Sequence, residues 1–303
     1  MTNRFKAIID CVTEHPIKKR CAVVCPDKKT VEAMLEAEKM GLIEPVFYMN
    51  RQAEGYQEIL ASVLEGHFTY THESREKAAE NAVKDVHLGK AHILLKGNLD
   101  TAILLKQVVN KEYGLLTGRL ISHIALLDVP AYHKLIIVTD GGMVTYPDLV
   151  QLRGVLENAV SVMHVFGIAK PKVACLAAVE KVNERMPETV KASALKEMNQ
   201  KGEISGCIVE GPISFDLAFI KQAAEMKGYQ SPVAGDADIF LVPDLVSGNL
   251  LSKALIYAGG ASFAGLLAGA AAPVIVTSRS STKEEKINSI ACSALLSSWP
   301  AQS

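Results

Sequence analysis

Short uncharged apolar runs alternate with helix-like segments from residue 21 almost to the C-terminus, and this alternation limits the chain to few folds. Residues 21–25, 45–49, 91–95, 134–139, 172–176, 206–209 and 239–242 read as strands, and 29–40, 74–88 and 147–165 read as helices. An apolar run bounded by polar residues suits a strand buried on both faces. Strands alternating with helices of about 10–15 residues imply right-handed βαβ units and a largely parallel sheet. With 303 residues and 49 % hydrophobic content, the chain is long enough for two α/β domains, each with its own core. No Pro-, Gly- or Ser-rich tether separates them, so a close junction is expected.

The charge pattern excludes some partners. A formal net charge of −1 with interspersed signs gives no basic footprint for nucleic acid. Lys18-Lys19-Arg20 is too short for one and leads into a strand. Residues 1–20 hold no signal-peptide core, and the six cysteines lack zinc-ribbon spacing, which fits free thiols in a reducing cytoplasm. Residues 254–276 carry no charge, but Gly259, Gly260, Gly265, Gly269 and Pro273 interrupt them. A membrane span is not expected from such a composition; a Gly/Ala helix packed closely on another element, such as a second subunit, is.

The chemistry is expected where 273–276 ends and the next helix begins. Ser278 and Arg279 stand at that strand's carboxyl end, and Ile287, Ile290, Ala291, Ala294 and Leu295 follow with amphipathic helical spacing. Ligands of open parallel sheets bind beyond the carboxyl ends of strands, and helix N-termini attract anions. A hydroxyl, a guanidinium and a helix start together describe a phosphate site. Glu285, in the first turn, fits two roles. Ser281 to Glu284 and Thr282 to Glu285 both match a capping box, while a carboxylate beside an anion site also suits a general base. His123 reads as a core histidine. Cys292, without a His-Asp relay, reads as packing and not as an acyl carrier.

Further motifs cluster at strand ends. In order they are Leu94-Leu95-Lys96-Gly97, Ser122-His123-Ile124, Thr139-Asp140-Gly141-Gly142-Met143, Gly211-Pro212-Ile213-Ser214-Phe215-Asp216, Gly235-Asp236-Ala237-Asp238, Pro243-Asp244-Leu245-Val246-Ser247-Gly248-Asn249 and Thr277-Ser278-Arg279-Ser280. Taken singly, most are ordinary turn or cap chemistry. As a series, spanning the chain from about residue 20, they resemble the phosphate acetyl/butyryltransferase family and its butyryl branch in particular.

That resemblance implies a fold like that of the isocitrate and isopropylmalate dehydrogenases: two α/β domains with mainly parallel sheets and a cleft between them. The first domain would be discontinuous, 1–130 plus 270–303, with 131–269 as the second. It also implies a homodimer or higher homo-oligomer. The implied reaction is reversible: acyl-CoA and inorganic phosphate give acyl phosphate and CoA, with no metal or bound organic cofactor. Carried over by position, Arg279 would grip phosphate, Ser278 would hydrogen-bond the reacting thioester, and Glu285 would be the base. Substrate-binding positions would be Ser280, Lys96, Lys106, Gly211, Pro212, Asp216, Asp236 and Asn249.

Two departures bear on the substrate. Acetyl-type members follow Ser-Arg with Gly-Cys, whereas Ser280-Ser281 stands here. Their Thr-Val-Arg-Pro segment is replaced by Thr101-Ala102-Ile103-Leu104, with Lys106 the nearest cation. A less polar pocket, suited to butyryl or branched acyl groups, is expected. The alternatives are a phosphate acetyltransferase, a metal- and NAD-dependent decarboxylating dehydrogenase using Asp236, Asp238 and Asp244, and a non-catalytic CoA-binding homologue.

Overall fold

The computed structural model describes residues 4–63, 66–277 and 281–298. In chain order it begins with α1 (Arg4–Glu14), β1 (Lys19–Val24), α2 (Lys28–Lys39), β2 (Ile43–Asn50), α3 (Tyr56–Val63), β3 (Phe68–His72), α4 (Arg75–His87), β4 (Ile93–Lys96) and α5 (Thr101–Val108). Then come β5 (Ser122–Asp128), β6 (Ile136–Thr139), α6 (Leu149–Val165), β7 (Lys172–Leu176), α7 (Pro187–Gln200), β8 (Ile208–Ile213), α8 (Phe215–Phe219), α9 (Lys221–Met226), β9 (Ile239–Leu241) and α10 (Leu245–Lys253). A π-helical turn, Ala254–Ala258, leads to β10 (Ser262–Ala268), β11 (Val274–Ile275) and α11 (Lys283–Ser298).

Two units result: Leu120–Phe263, and Asn3–Arg119 with Ala264–Ser303. The sequence reading drew the divisions at 130/131 and 269/270. β5 pairs with β6 and β10 with β11.

In the discontinuous unit the strand order is β3-β2-β1-β4-β11-β10. All these pairings are parallel except β10 with β11. Apart from Lys19, Arg20, Glu44 and Lys96 near their ends, the parallel strands β1, β2 and β4 carry no charge, as suits strands buried between helices: Cys21, Ala22, Val23, Ile93 and Leu94 are fully buried. Local signals start the helices. Asp27 accepts from the Thr30 N–H at 2.8 Å and Ser74 from the Lys77 N–H at 3.1 Å.

In the Leu120–Phe263 unit the order is β5-β6-β9-β7-β8, antiparallel only between β5 and β6. Its core includes Phe240, Tyr132 and Leu217, with the Phe215 and Phe219 rings stacked at 5.0 Å. Asp148 and Gln151 form a capping box at the start of α6.

The expected Gly/Ala helix across 254–272 is not formed. After the π turn, Gly260 takes φ +67 and the chain enters strand β10. Glycine costs a helix about 1 kcal/mol per residue, and the closely spaced glycines here tip the segment to an extended form. Gly211-Pro212, expected as a turn after 206–209, lies inside β8. Among the described residues no helix is long and apolar enough to cross a membrane.

Candidate functional site

Two sequence motifs far apart in the chain finish side by side at a carboxyl edge. β11 pairs in parallel with β4, Val274 opposite Leu94 and Ile275 opposite Leu95. Lys96-Gly97 and Val276-Thr277 therefore continue from neighbouring strands. Gly97 is required there: a Cβ would lie 2.4 Å from the Cys25 carbonyl oxygen and 2.5 Å from that of Val24. Cys25, just past β1, takes the left-handed φ of 48°, a backbone state costing a non-glycine residue about 1–2 kcal/mol. Its N–H donates to the Tyr48 carbonyl at 2.8 Å and its carbonyl accepts from the Asn98 N–H at 2.6 Å. Burial pushes its thiol up to about 12, so it is no nucleophile at neutral pH. Lys96 is buried, its Nζ donating to the Leu99 carbonyl at 2.8 Å and the Gly97 carbonyl at 3.2 Å. Lys106 is exposed in the last turn of α5.

Ser278, Arg279 and Ser280, the centre of the sequence expectation, lie outside the described residues. The flanking Thr277 and Ser281 are buried, and the Lys286 Nζ donates to the Ser281 carbonyl at 3.0 Å. The next helix begins as a capping box. Glu285 Oε2 accepts from the Thr282 N–H at 2.9 Å, and Thr282 Oγ1 accepts from the Glu285 N–H at 3.1 Å. Of the two boxes read from sequence, this is the one formed. Glu285 Oε1 meets no donor among the described residues. Ser289 fixes this helix to β10: its hydroxyl donates to the Glu285 carbonyl at 2.7 Å and accepts from the Gly265 N–H at 2.9 Å. Cys292 is fully buried, and burial raises its thiol pKa far above the ordinary range.

The other unit has its own carboxyl edge. Asp140, past the end of β6, accepts from the N–H groups of Gly142 at 2.7 Å, Met143 at 2.8 Å and His123 at 3.1 Å. The loop so formed lies on the start of α10, which Asp244 caps through the Ser247 N–H at 2.8 Å. A Cβ on Gly141 would sit 2.8 Å from the Gly248 carbonyl carbon, and Asn249 Nδ2 donates to the Gly141 carbonyl at 3.2 Å. These two glycine-bearing motifs thus exist to let backbones meet. The His123 ring covers Gly142, burial lowers its pKa while Asp140 raises it, and its Nδ1 has no partner among the described residues.

Asp216 stands beyond β8, 3.1 Å from Lys227, and the Ser214 hydroxyl with that ammonium holds its carboxyl below the usual range. Gly211 and Pro212 are buried in β8, where a Cβ on Gly211 would meet the Cys175 Cβ at 2.6 Å. They serve packing there. Asp236 is at the opposite, amino-terminal edge of β6, β7 and β9. It is held by His133 at 2.8 Å, Lys134 at 2.8 Å and Lys172. Burial would raise its carboxyl, but hydrogen bonds from Lys134, Lys172 and His133 win and hold it far below the usual range. Asp238 pairs with Lys134 at 2.8 Å. With Asp244 spent as a cap, the carboxylates considered for a metal are each engaged elsewhere. Sequence reading gave Asp140 no role within its motif and passed over the buried Lys286 and the polar loop 177–186 after β7; that loop's place past a strand's carboxyl end was its available signal.

Comparison with known proteins places this geometry. The family model described as phosphate acetyl/butaryl transferase matches residues 22–294. The chain is 38 % identical over 302 residues to a phosphate butyryltransferase of Clostridium acetobutylicum, covering 98 % of this chain and 99 % of that one. It is 36 % identical to a phosphate acetyltransferase of Thermotoga maritima, covering 92 % and 95 %. Among solved structures, a branched-chain phosphotransacylase from Enterococcus faecalis V583 matches with a TM-score of 0.82 at 29 % identity, covering 92 % and 99 %. In fold alone the likeness extends to a 4-hydroxythreonine-4-phosphate dehydrogenase of Burkholderia phymatum, with a TM-score of 0.53 at 13 % identity, covering 92 % and 98 %.

Proposed function

The chain belongs to the phosphate acetyl/butyryl transferase family, and on that premise we propose that butyryl is its preferred acyl group, with Ser278, Arg279 and Glu285 as the reacting centre. The reaction is the reversible transfer of a short acyl group between CoA and inorganic phosphate. The observation carrying the site is the parallel β4–β11 pair, which ends Lys96-Gly97 and Thr277 at one edge, directly before residue 278.

In the direction of acyl-CoA synthesis, Glu285 takes the CoA thiol proton, and the thiolate attacks the carbonyl carbon of the acyl phosphate. Free thiols ionise near pH ~8.5, so a base raises the thiolate fraction at neutral pH. The tetrahedral oxyanion is stabilised by the Ser278 hydroxyl and collapses by expelling phosphate, whose charge the Arg279 fork receives. Holding both substrates together supplies much of the acceleration. In reverse, phosphate attacks the thioester and Glu285 returns the proton to the leaving thiolate. Glu285 supports both its roles, since Oε2 caps the helix while Oε1 meets no donor among the described residues. CoA is a substrate here, and the chemistry asks for no metal or bound organic cofactor.

Acyl preference rests on Thr101-Ala102-Ile103-Leu104 in place of an arginine-bearing segment, and on the butyryl and branched-chain relatives. Identity alone does not choose, because the acetyltransferase relative is nearly as similar. Trapping the product of butyryl-CoA and phosphate with hydroxylamine tests the assignment. Butyryl hydroxamate should form at a higher kcat/KM than acetyl hydroxamate from acetyl-CoA; equal values would remove the butyryl preference.

A cytoplasmic homodimer completes the reading. The described cysteines are all free thiols, which suits a reducing compartment. Val246 and Leu250 on α10, Tyr257 in the π turn, and Tyr146 and Val150 beside them are 48 %, 65 %, 72 %, 75 % and 78 % exposed. The Leu245 N–H to Thr145 carbonyl bond at 3.0 Å brings the two segments together. An apolar face of this kind suits a second copy of the chain.

A further inference from the structure

Lys286 stands in the first turn of α11 and is only 6 % exposed. Its side chain runs back along the helix, as helical side chains do, and its Nζ donates to the Ser281 carbonyl at 3.0 Å. The ammonium therefore sits at the N-terminal end of α11. That bond uses one of its three donors, and the Nζ meets no further acceptor and no carboxylate among the described residues. Neighbouring charges are engaged elsewhere: Lys283 pairs with Glu36 at 3.5 Å, and Glu285 Oε2 accepts from the Thr282 N–H.

A cation here has the wrong sign for its surroundings. The start of a helix carries partial positive charge that favours an anion, and a buried charge without a counter-charge is costly. The capping box satisfies the N–H of Glu285, but those of Lys283 and Glu284 meet no acceptor among the described residues. Ammonium and N–H groups thus call for the same missing partner, an anion, and the depth of Lys286 favours a small one. The place is the carboxyl edge at which the chain leaves β11, where Thr277 and Ser281 are both buried and α11 packs on β4 and β11 of its own unit.

We propose that Lys286 is a phosphate-binding residue: its ammonium and the free N–H groups at the start of α11 receive inorganic phosphate in one direction and the phosphoryl group of the acyl phosphate in the other. The inference rests on the transferase reading, which makes phosphate a substrate. An ammonium is a point charge with three donors, so Lys286 keeps its Ser281 bond and still offers two to phosphate oxygens.

The test uses the full chain and two variants. Lys286→Gln keeps an N–H for the Ser281 carbonyl and loses the charge, whereas Lys286→Met loses both. In phosphate-dependent release of thiol from butyryl-CoA, each should raise the KM for phosphate roughly ten- to a hundredfold, the size of one charge-assisted contact. The KM for butyryl-CoA, and kcat at saturating phosphate, should change far less. A second readout needs no turnover: inorganic phosphate should raise the melting temperature of the unaltered protein, and that rise should shrink in both variants. An unchanged KM for phosphate in folded variants, or an equal rise in melting temperature in all three proteins, overturns the proposal. So does impairment of Lys286→Met alone, which would leave the lysine as a tie for the Ser281 carbonyl. A raised KM for butyryl-CoA in place of phosphate overturns it too, because the anion would then be one of CoA's own. If the unaltered enzyme releases no thiol, the transferase reading fails instead, and the melting comparison still decides whether Lys286 holds phosphate.

Discussion

Glu285 caps a helix and is the proposed base. Its Oε2 bond to the Thr282 N–H starts α11, and its Oε1, which meets no donor among the described residues, is the proposed proton acceptor. Glutamine keeps an oxygen for the cap but loses the base. Glu285→Gln should therefore lower kcat by about 10²–10⁴, the usual contribution of a general base, with a melting temperature close to the unaltered protein's. A large fall in melting temperature with kcat intact would leave only the cap. Asp236 makes the complementary case. Its depressed pKa means that the folded state keeps it ionised where the unfolded chain takes up a proton. The stability it contributes is complete above the ordinary Asp value of about 3.9 and is lost as pH falls through the lower folded value. Since its side chain is 39 % exposed, Asp236→Asn should cost only about 1 kcal/mol at neutral pH after solvent screening. Urea unfolding at pH 7 and pH 3 should show that deficit shrinking in acid. The sequence offered Asp236 as a substrate ligand because spacing reveals a strand end without telling which end. The pairing of β6, β7 and β9 was needed to put it at the amino-terminal edge.

At the scale of elements, most strands and helices were legible because burial on both faces writes an uncharged run and caps write Asp or Ser before a helix. Thr282 and Glu285 showed the start of α11 in the same way. The segment 254–272 was not legible. Glycine, alanine and leucine without charges fit a close-packed helix or a close-packed strand equally, and the choice lies in what the glycines approach. Here the Gly265 N–H meets the Ser289 hydroxyl, which in turn bonds the Glu285 carbonyl, so β10 and α11 are fixed to one another. Ser289→Ala leaves that buried N–H without a partner and should cost about 1–3 kcal/mol in urea unfolding. A cost near zero would mean the link is not structural.

For the whole molecule, family membership decides the reaction. The discontinuous unit holds the edge that ends at Gly97 and Thr277. The other holds the Asp140 loop and α10. The proposed dimer face belongs to the latter, and Leu250→Glu would place a charge on it. Sedimentation should then show a shift from dimer toward monomer, and an unchanged dimer would put the interface elsewhere.

The most direct test of the central claim is the release of free thiol from butyryl-CoA by the purified protein, with and without phosphate, and with acetyl-CoA in parallel. The account predicts release that requires phosphate and is faster with butyryl-CoA. No release from either thioester by folded protein, or release indifferent to phosphate, would contradict it.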